Sequence, residues 1–275
     1  MKPLLFSISY GLLGSYSEAE DIVHDVFLTL QQKDLTDTQN IKAYLCKMAT
    51  NRCIDVLRSA QKKRVTYMGE WLPEPIGEAF SEIEKSIENK DVLSLVYLKL
   101  MEVLSPNERA VFLLKEGFHL SYSEIASLID TNEVNCRKLF SRAKKKVTME
   151  KAPQFKVKEN RRVIEEFIQA FELGEMEKVL QYVGPDVTLY SDGGGVVKAA
   201  IRPILARDRV LLFLQGIYAK RPETIEFEIE MVNGQPSIVS RVDGRVLQVI
   251  SFHFSSHQIQ GIYIMLNPAK LKHID

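Results

Sequence analysis

Residues Ser121 to Lys146, SYSEIASLIDTNEVNCRKLFSRAKKK, read as a helix, a tight turn and a second helix ending in a basic run. Ser121 and Glu124 have capping-box spacing: the hydroxyl takes one orphan N–H and the carboxylate reaches back to another. Ile125, Ala126 and Ile129 follow on one face. Asp130-Thr131-Asn132 breaks the period and offers Asn132 as a second N-cap. Beyond it Cys136, Leu139, Phe140, Ala143 and Val147 share one helical face, while Val134, Arg137, Lys138, Ser141, Arg142 and Lys145 face the other way. That is the layout of a helix-turn-helix whose second helix enters a major groove. A plain helical hairpin with a solvated basic face fits the same stretch, so the flanks decide.

Upstream, Ser105-Pro106-Asn107-Glu108 is another helix start, with a serine cap, proline at the first helical position and glutamate three after the cap. The apolar run Val111 to Leu114 follows, completing a compact trihelical DNA-binding pattern. LSPNERAVFLL, YSEIA and NCRKLFSRAKKK together resemble region four of bacterial sigma factors. The resemblance implies that this module reads the −35 promoter element and meets the β flap of core RNA polymerase.

The N-terminal sequence points the same way independently. Ser17 to Glu20 reads as a capping box, followed by Ile22, Val23, Val26, Phe27 and Leu30 at helical spacing, with an acidic face that includes Asp21 and Asp25. A second amphipathic helix, Ile41 to about Lys62, is expected to bury Tyr44, Leu45, Met48, Cys53, Val56, Leu57 and Ala60 and to present Lys47, Asn51, Arg52, Asp55, Arg58 and Lys62. GSYSEAEDIVHDVF and IKAYLCKMATNRCIDVLRS resemble region two of the extracytoplasmic-function (ECF) sigma factors. In that family the acidic helix, here Asp21 and Asp25, docks on the β′ clamp. The basic helix, here Asn51, Arg52, Asp55 and Arg58, opens and reads the −10 element with the loop before it, Asp37 to Asn40. The first helix, through LLFSISYGLLG, looks slightly short against that family.

Composition limits the alternatives. With 36 basic and 36 acidic residues the net charge is zero, so no whole-protein basic field exists and any DNA contact must come from local patches. Between Asn132 and Lys146 the basic residues Arg137, Lys138, Arg142, Lys144, Lys145 and Lys146 face a single acid, Glu133. Cys46, Cys53 and Cys136 lack C-x-x-C or metal-ligand spacing, which fits reduced thiols in a cytoplasmic protein and predicts no metal or cofactor. No signal peptide is evident, and no apolar run approaches the roughly eighteen residues of a membrane span.

The linker, taken as 63–90, contains Trp71-Leu72-Pro73-Glu74-Pro75, an extended segment by its prolines. Either it tethers and covers core or it docks on something. WLPEP resembles the linker of the ECF subgroup that carries a C-terminal SnoaL-like extension. Beyond residue 155 the pattern fits that extension: a helix Val163 to Phe171, a short helix through Val179, a strand VTLYSD, a helix Arg207 to Tyr218, then four strands with turns at Asn233-Gly234 and Asp243-Gly244. The expected architecture is two all-α modules, 1–62 and 91–150, followed at 155–275 by an α+β cone whose curved antiparallel sheet wraps helices. Asp192-Gly193-Gly194-Gly195, the turn Asn233 to Pro236, and Asn267-Pro268-Ala269-Lys270-Leu271 resemble further motifs of the subgroup, covering nearly the whole chain. Trp71, Pro73, Asp192, Gly193, Gly194, Gly195, Asn267 and Pro268 are the candidate interdomain regulatory residues.

The resemblance implies an alternative sigma factor, partnered by core polymerase and promoter DNA, controlled in cis without an obligatory anti-sigma protein. Two other readings stay open. A cone of this type hosts isomerases, for which Tyr190, Asp192, Tyr218, His253 and Tyr263 are the candidate groups. A free-standing helix-turn-helix regulator would never engage polymerase.

Overall fold

The computed structural model describes residues 1–32, 40–63, 67–147, 156–255 and 258–274. The chain divides into two compact units, Met1–Thr66 with Ala79–Lys151, and Tyr67–Glu78 with Ala152–Asp275. The linker expected over 63–90 is therefore not one segment: residues 67–78 fold with the C-terminal unit, and the rest from 79 onward with the helical one. The joint at residues 150–155, the loop positions Asp37 to Gln39, and the side chains of Ala60 and Lys62 lie outside the described residues.

In the helical unit α1 (Lys2–Leu13), α2 (Tyr16–Gln31) and α3 (Ile41–Lys63) pack on one another. Every residue of α1 from Leu5 to Leu13 is buried, as its unbroken small and apolar run requires. The cap of α2 is Ser15, whose hydroxyl accepts from Glu18 N at 3.2 Å, and not Ser17: the same S-x-x-E spacing begins two residues earlier. On α3 the buried set is Leu45, Cys46, Ala49, Thr50, Cys53, Ile54 and Leu57, while Tyr44, Met48 and Val56 are only half-buried. α3 is packed by helices on several sides, so its small residues 46, 49 and 53 face a close neighbour. All three cysteines are free and buried, and burial pushes the Cys53 thiol up to about 12, leaving it inert at neutral pH.

Then come α4 (Phe80–Glu84), a 3₁₀ turn (Lys90–Leu93), α5 (Leu95–Leu100), α6 (Pro106–Glu116), α7 (Tyr122–Leu128) and α8 (Glu133–Lys146). Both expected capping boxes form, Ser105 with Glu108 and Ser121 with Glu124, and Asn132 caps α8 by accepting from Asn135 N. α8 buries Cys136, Ala143 and Val147 and sets Phe140 against the rings of Phe112 and Tyr122.

The C-terminal unit holds α9 (Val157–Glu172), α10 (Met176–Tyr182), β1 (Val183–Asp192), β2 (Ile204–Leu205), α11 (Arg207–Lys220), β3 (Glu226–Val232), β4 (Gln235–Val242), β5 (Arg245–Ser255) and β6 (Gln258–Met265). The sheet order is β2-β1-β6-β5-β4-β3. It is mixed and open, not wholly antiparallel: β6 pairs parallel with β1 after the chain has passed through β2, α11 and β3 to β5. The turns at Asn233-Gly234 and Asp243-Gly244 have positive φ at both residues, the I′ geometry that joins tightly paired strands. Val187, Leu189, Ile238, Phe252, Ile262 and Ile264 line the inner face against Ile164, Phe167, Phe171, Val210 and Leu214 of the helices. By alternation Tyr190, Asp192, His253 and Tyr263 point to the outer face. Residues 67–77 are bound to that same unit, with Leu72 and Ile76 buried. No helix among the described residues is long and apolar enough to cross a membrane.

Candidate nucleic-acid interface

The capped start and the buried stripe of α8 fix which side it shows. Val134, Arg137, Lys138, Ser141, Arg142 and Lys145 are all exposed, spaced three or four apart along one strip. Arg137 is held rather than loose: Glu133 pairs with it at 3.2 Å, and its guanidinium stands 4.6 Å from the Tyr122 ring centre. Lys146 differs from its neighbours. It binds the buried Glu108 at 2.7 Å and so clamps α8 to the cap of α6. Burial pushes Glu108 up, but hydrogen bonds from Lys146 and Ser105 outweigh it and hold the carboxyl below its usual range.

The four residues expected to form one surface on α3 divide in the structure. Arg52 turns toward α2, donating to Thr29 Oγ1 at 2.8 Å and lying 3.7 Å from Asp25. Asp25 is thus both exposed and paired, while Asp21 is exposed beside it on α2. Asp55 and Arg58 form an exposed i,i+3 pair at 3.1 Å. Asn51 donates to Asp130 at 3.3 Å, Lys47 to the other oxygen of the same carboxylate at 2.5 Å, and Arg58 to Asn107 at 3.4 Å. Asp130 is the turn residue between α7 and α8 and has φ +52, so the turn that shapes the helix-turn-helix also presents this carboxylate to α3. Sequence reading missed this contact, since a turn aspartate carries no mark of a distant partner.

The outer face of the cone domain holds a buried ionic cluster. Asp192 accepts from Tyr67 Oη at 2.6 Å, Gly194 N at 2.9 Å, Leu72 N at 2.9 Å and Lys270 Nζ at 2.8 Å. Lys270 also donates to the Leu72 carbonyl at 2.6 Å and lies 4.1 Å from the Trp71 ring and 5.3 Å from that of Tyr67. Both charged side chains are buried, Asp192 at 0% and Lys270 at 8% exposure, so each needs the other. Asn267 donates to Tyr67 Oη at 3.3 Å and accepts from Ala269 N. Farther along, Ile76 and Asn233 exchange two hydrogen bonds of 2.9 Å, and Gly77 N reaches His273 O. Residues 67–77 are thus a strap tied to the cone by side-chain and backbone hydrogen bonds.

The glycines keep room for it. A Cβ on Gly193 would sit 2.0 Å from the Val197 carbonyl, and one on Gly194, at φ +61, 2.3 Å from Asn267 Nδ2. Of the expected regulatory set, Trp71, Asp192, Gly194 and Asn267 meet here, Pro73 is buried in the strap, and Pro268 stands exposed. A Cβ on Gly195 would meet Met68 only at van der Waals distance, 3.5 Å. Tyr67 was not singled out from the sequence; the lysine within NPAKL, Lys270, was the available signal for a buried acid partner.

The interior of the cone is filled. Its gap is about 20 Å³ and its lining is apolar apart from Gln248. Tyr190 and Tyr263 stack on each other at 5.3 Å, on the outer face, and Tyr218 packs on Phe171 and Arg221. Among the described residues no acid, base or nucleophile lines the gap.

Residues 1–63 match the family described as Sigma-70 region 2, and residues 94–147 the one described as Sigma-70, region 4. The ECF RNA polymerase sigma factor SigJ of Mycobacterium tuberculosis (strain ATCC 25618 / H37Rv) is 30% identical over 241 residues, covering 84% of this chain and 76% of the relative. The probable ECF RNA polymerase sigma factor SigI of Mycobacterium tuberculosis (strain CDC 1551 / Oshkosh) is 26% identical over 271 residues, 97% of this chain and 91% of the relative. The crystal structure of the Mycobacterium tuberculosis ECF sigma factor SigJ has a TM-score of 0.79 at 25% identity, covering 98% of this chain and 95% of that one.

Proposed function

The chain belongs to the ECF RNA polymerase sigma factors, acting with core polymerase and promoter DNA in promoter-specific transcription initiation, and on that premise we propose how its residues divide the work. It is a sigma factor and not an enzyme. Asp21 and Asp25 on α2 meet the β′ clamp, and the region-four module meets the β flap. Asn51, Asp55 and Arg58, with Arg52 bracing them against α2, hold the opened −10 strand. Val134, Arg137, Lys138, Ser141, Arg142 and Lys145 enter the −35 major groove. The modules are residues 1–62 and 91–150, with the regulatory cone at 155–275, and the chain acts in the cytoplasm.

Control in cis is the distinctive part of the proposal. The observation behind it is the strap: the only covalent path from region two to region four passes through residues 67–78, which the Asp192–Lys270 cluster folds into the cone. Fixing the strap shortens the free tether between the two DNA-reading modules, and tethered modules respond to effective concentration. No separate anti-sigma protein is then required. The test is core polymerase with this protein on a promoter library, with and without the residues after 155. A shift in promoter preference or output on truncation supports control in cis; identical profiles refute it. Failure of the full chain to program core polymerase at all would refute the residue assignments.

The contact of Asp130 with Lys47 and Asn51 bears on the same step, because it occupies residues proposed to hold DNA. The pair is exposed, so it contributes only about 0.2–1 kcal/mol. Asp130→Ala is expected to raise holoenzyme affinity for promoter DNA by up to about five-fold, read by titration of a labelled fragment. No change would mean the contact does not compete with DNA.

On α8, Arg137→Ala is expected to relax base preference in the −35 element at a cost of about 1–3 kcal/mol. Lys145→Ala should instead weaken all sequences alike and lower the salt slope by about one. If the two variants behaved alike across a −35 library, the division between reading and anchoring would be wrong.

A further inference from the structure

Some cations of the cone domain are paired, while others, Lys158, Lys220 and Arg245 among them, make no ion pair among the described residues. Arg161, Arg162, Lys178, Arg241 and Lys270 each have a carboxylate partner. Lys198, Arg202, Arg207 and Arg209 do not: all four are exposed and none makes an ion pair among the described residues. Between 198 and 209 the sole acid is Asp208.

The four are strung along one edge of the sheet. The segment after Gly193 runs back antiparallel to β1: Ala200 N donates to Ser191 Oγ, Ile204 and Leu205 pair with Leu189 and Thr188, and Ala206 N donates to Val187 O. β2 is the edge strand, so this run has no strand beyond it. The run from Ala200 to Ala206 lies beside Ser191 to Val187, four residue steps of β1 or about 13 Å, over which one strand of a DNA duplex carries about four phosphates. Arg207 and Arg209 also stand in the first turn of α11, where the helix dipole disfavours positive charge.

We propose that this edge, Lys198, Arg202, Arg207 and Arg209, is a second, sequence-independent DNA contact, binding the phosphate backbone of promoter DNA through the cone domain. Exposed, unpaired arginines spaced along a line suit a polyanion of regular charge, and each phosphate neutralised releases counterions. The edge anchors DNA through its phosphates and reads no bases. The inference rests on the chain acting at promoter DNA with core polymerase.

The test compares reconstituted holoenzymes carrying the wild-type chain, R202Q/R207Q/R209Q, or K158Q/K220Q/R245Q. The last removes the same charge from exposed cations elsewhere in the domain. Binding of a promoter fragment and of a scrambled fragment is measured from about 50 to 200 mM salt. The strip variant should show a log–log salt slope shallower by about 2–3 on both fragments, with the control unchanged. Equal slopes for wild type and strip variant, or an equal fall in the control, would overturn the proposal. So would weakened binding to core polymerase with an unchanged DNA slope, which would make the edge a site for an acidic protein surface. Single substitutions K198Q and R202Q, each expected to lower the slope by about one, replace the triple variant if it misfolds. Loss of promoter binding by the wild-type holoenzyme would instead refute the reading on which the inference rests.

Discussion

Asp192→Ala is expected to destabilise the cone domain by about 3–5 kcal/mol, because it removes the carboxylate that pairs with the buried Lys270 ammonium. It also strips the Leu72 amide and the Tyr67 hydroxyl of their acceptor. Lys270→Met should cost less, since Asp192 keeps Tyr67 Oη and two backbone N–H donors. Combining the two changes should recover part of the loss, the signature of a coupled buried pair. Urea unfolding followed by fluorescence reads this directly: Trp71 is the chain's single tryptophan and lies against Lys270. Additive costs in the double variant would show that the pair is not the fastening.

Gly194→Val should act through shape. Residue 194 has φ +61, which a β-branched side chain adopts only under strain, and its Cβ would overlap the Asn267 amide. About 3–5 kcal/mol is expected from strain and overlap together. Gly195→Ala separates the two causes. It meets the same positive φ, +74, but its nearest neighbour, Met68 Cβ, is 3.5 Å away, so only the backbone cost of about 1–2 kcal/mol should remain. Equal destabilisation by the two variants would mean that the close approach of Asn267 is unimportant.

The helical modules were legible because their signals are local. The boxes Ser105–Glu108 and Ser121–Glu124 and the cap Asn132 each announce a helix start within four residues. Even there a rival spacing misled: Ser15 with Glu18 competes with Ser17 with Glu20, and only the backbone decides. The hairpin turns were equally plain from Asn-Gly and Asp-Gly. The parallel pairing of β1 with β6 was not, because alternation tells which face a residue takes and nothing about strand direction. β2 is two residues long and has no period to detect. The clusters that matter most for control were half visible. WLPEP, DGGG and NPAKL each stood out, yet the hydrogen bonds joining Tyr67, Leu72, Asp192 and Lys270 span 78 to 198 residues of sequence, beyond any local pattern.

The strap's hold on promoter output is most directly tested by single-round transcription with core polymerase and the full chain, wild type against Asp192→Ala, with core affinity measured in parallel. Release of residues 67–77 is expected to leave core binding unchanged and to shift promoter output or preference by about five-fold or more, the effect of a coupling of at least 1 kcal/mol. Identical transcription from both proteins, with the strap shown by Trp71 fluorescence to be released, would contradict control in cis.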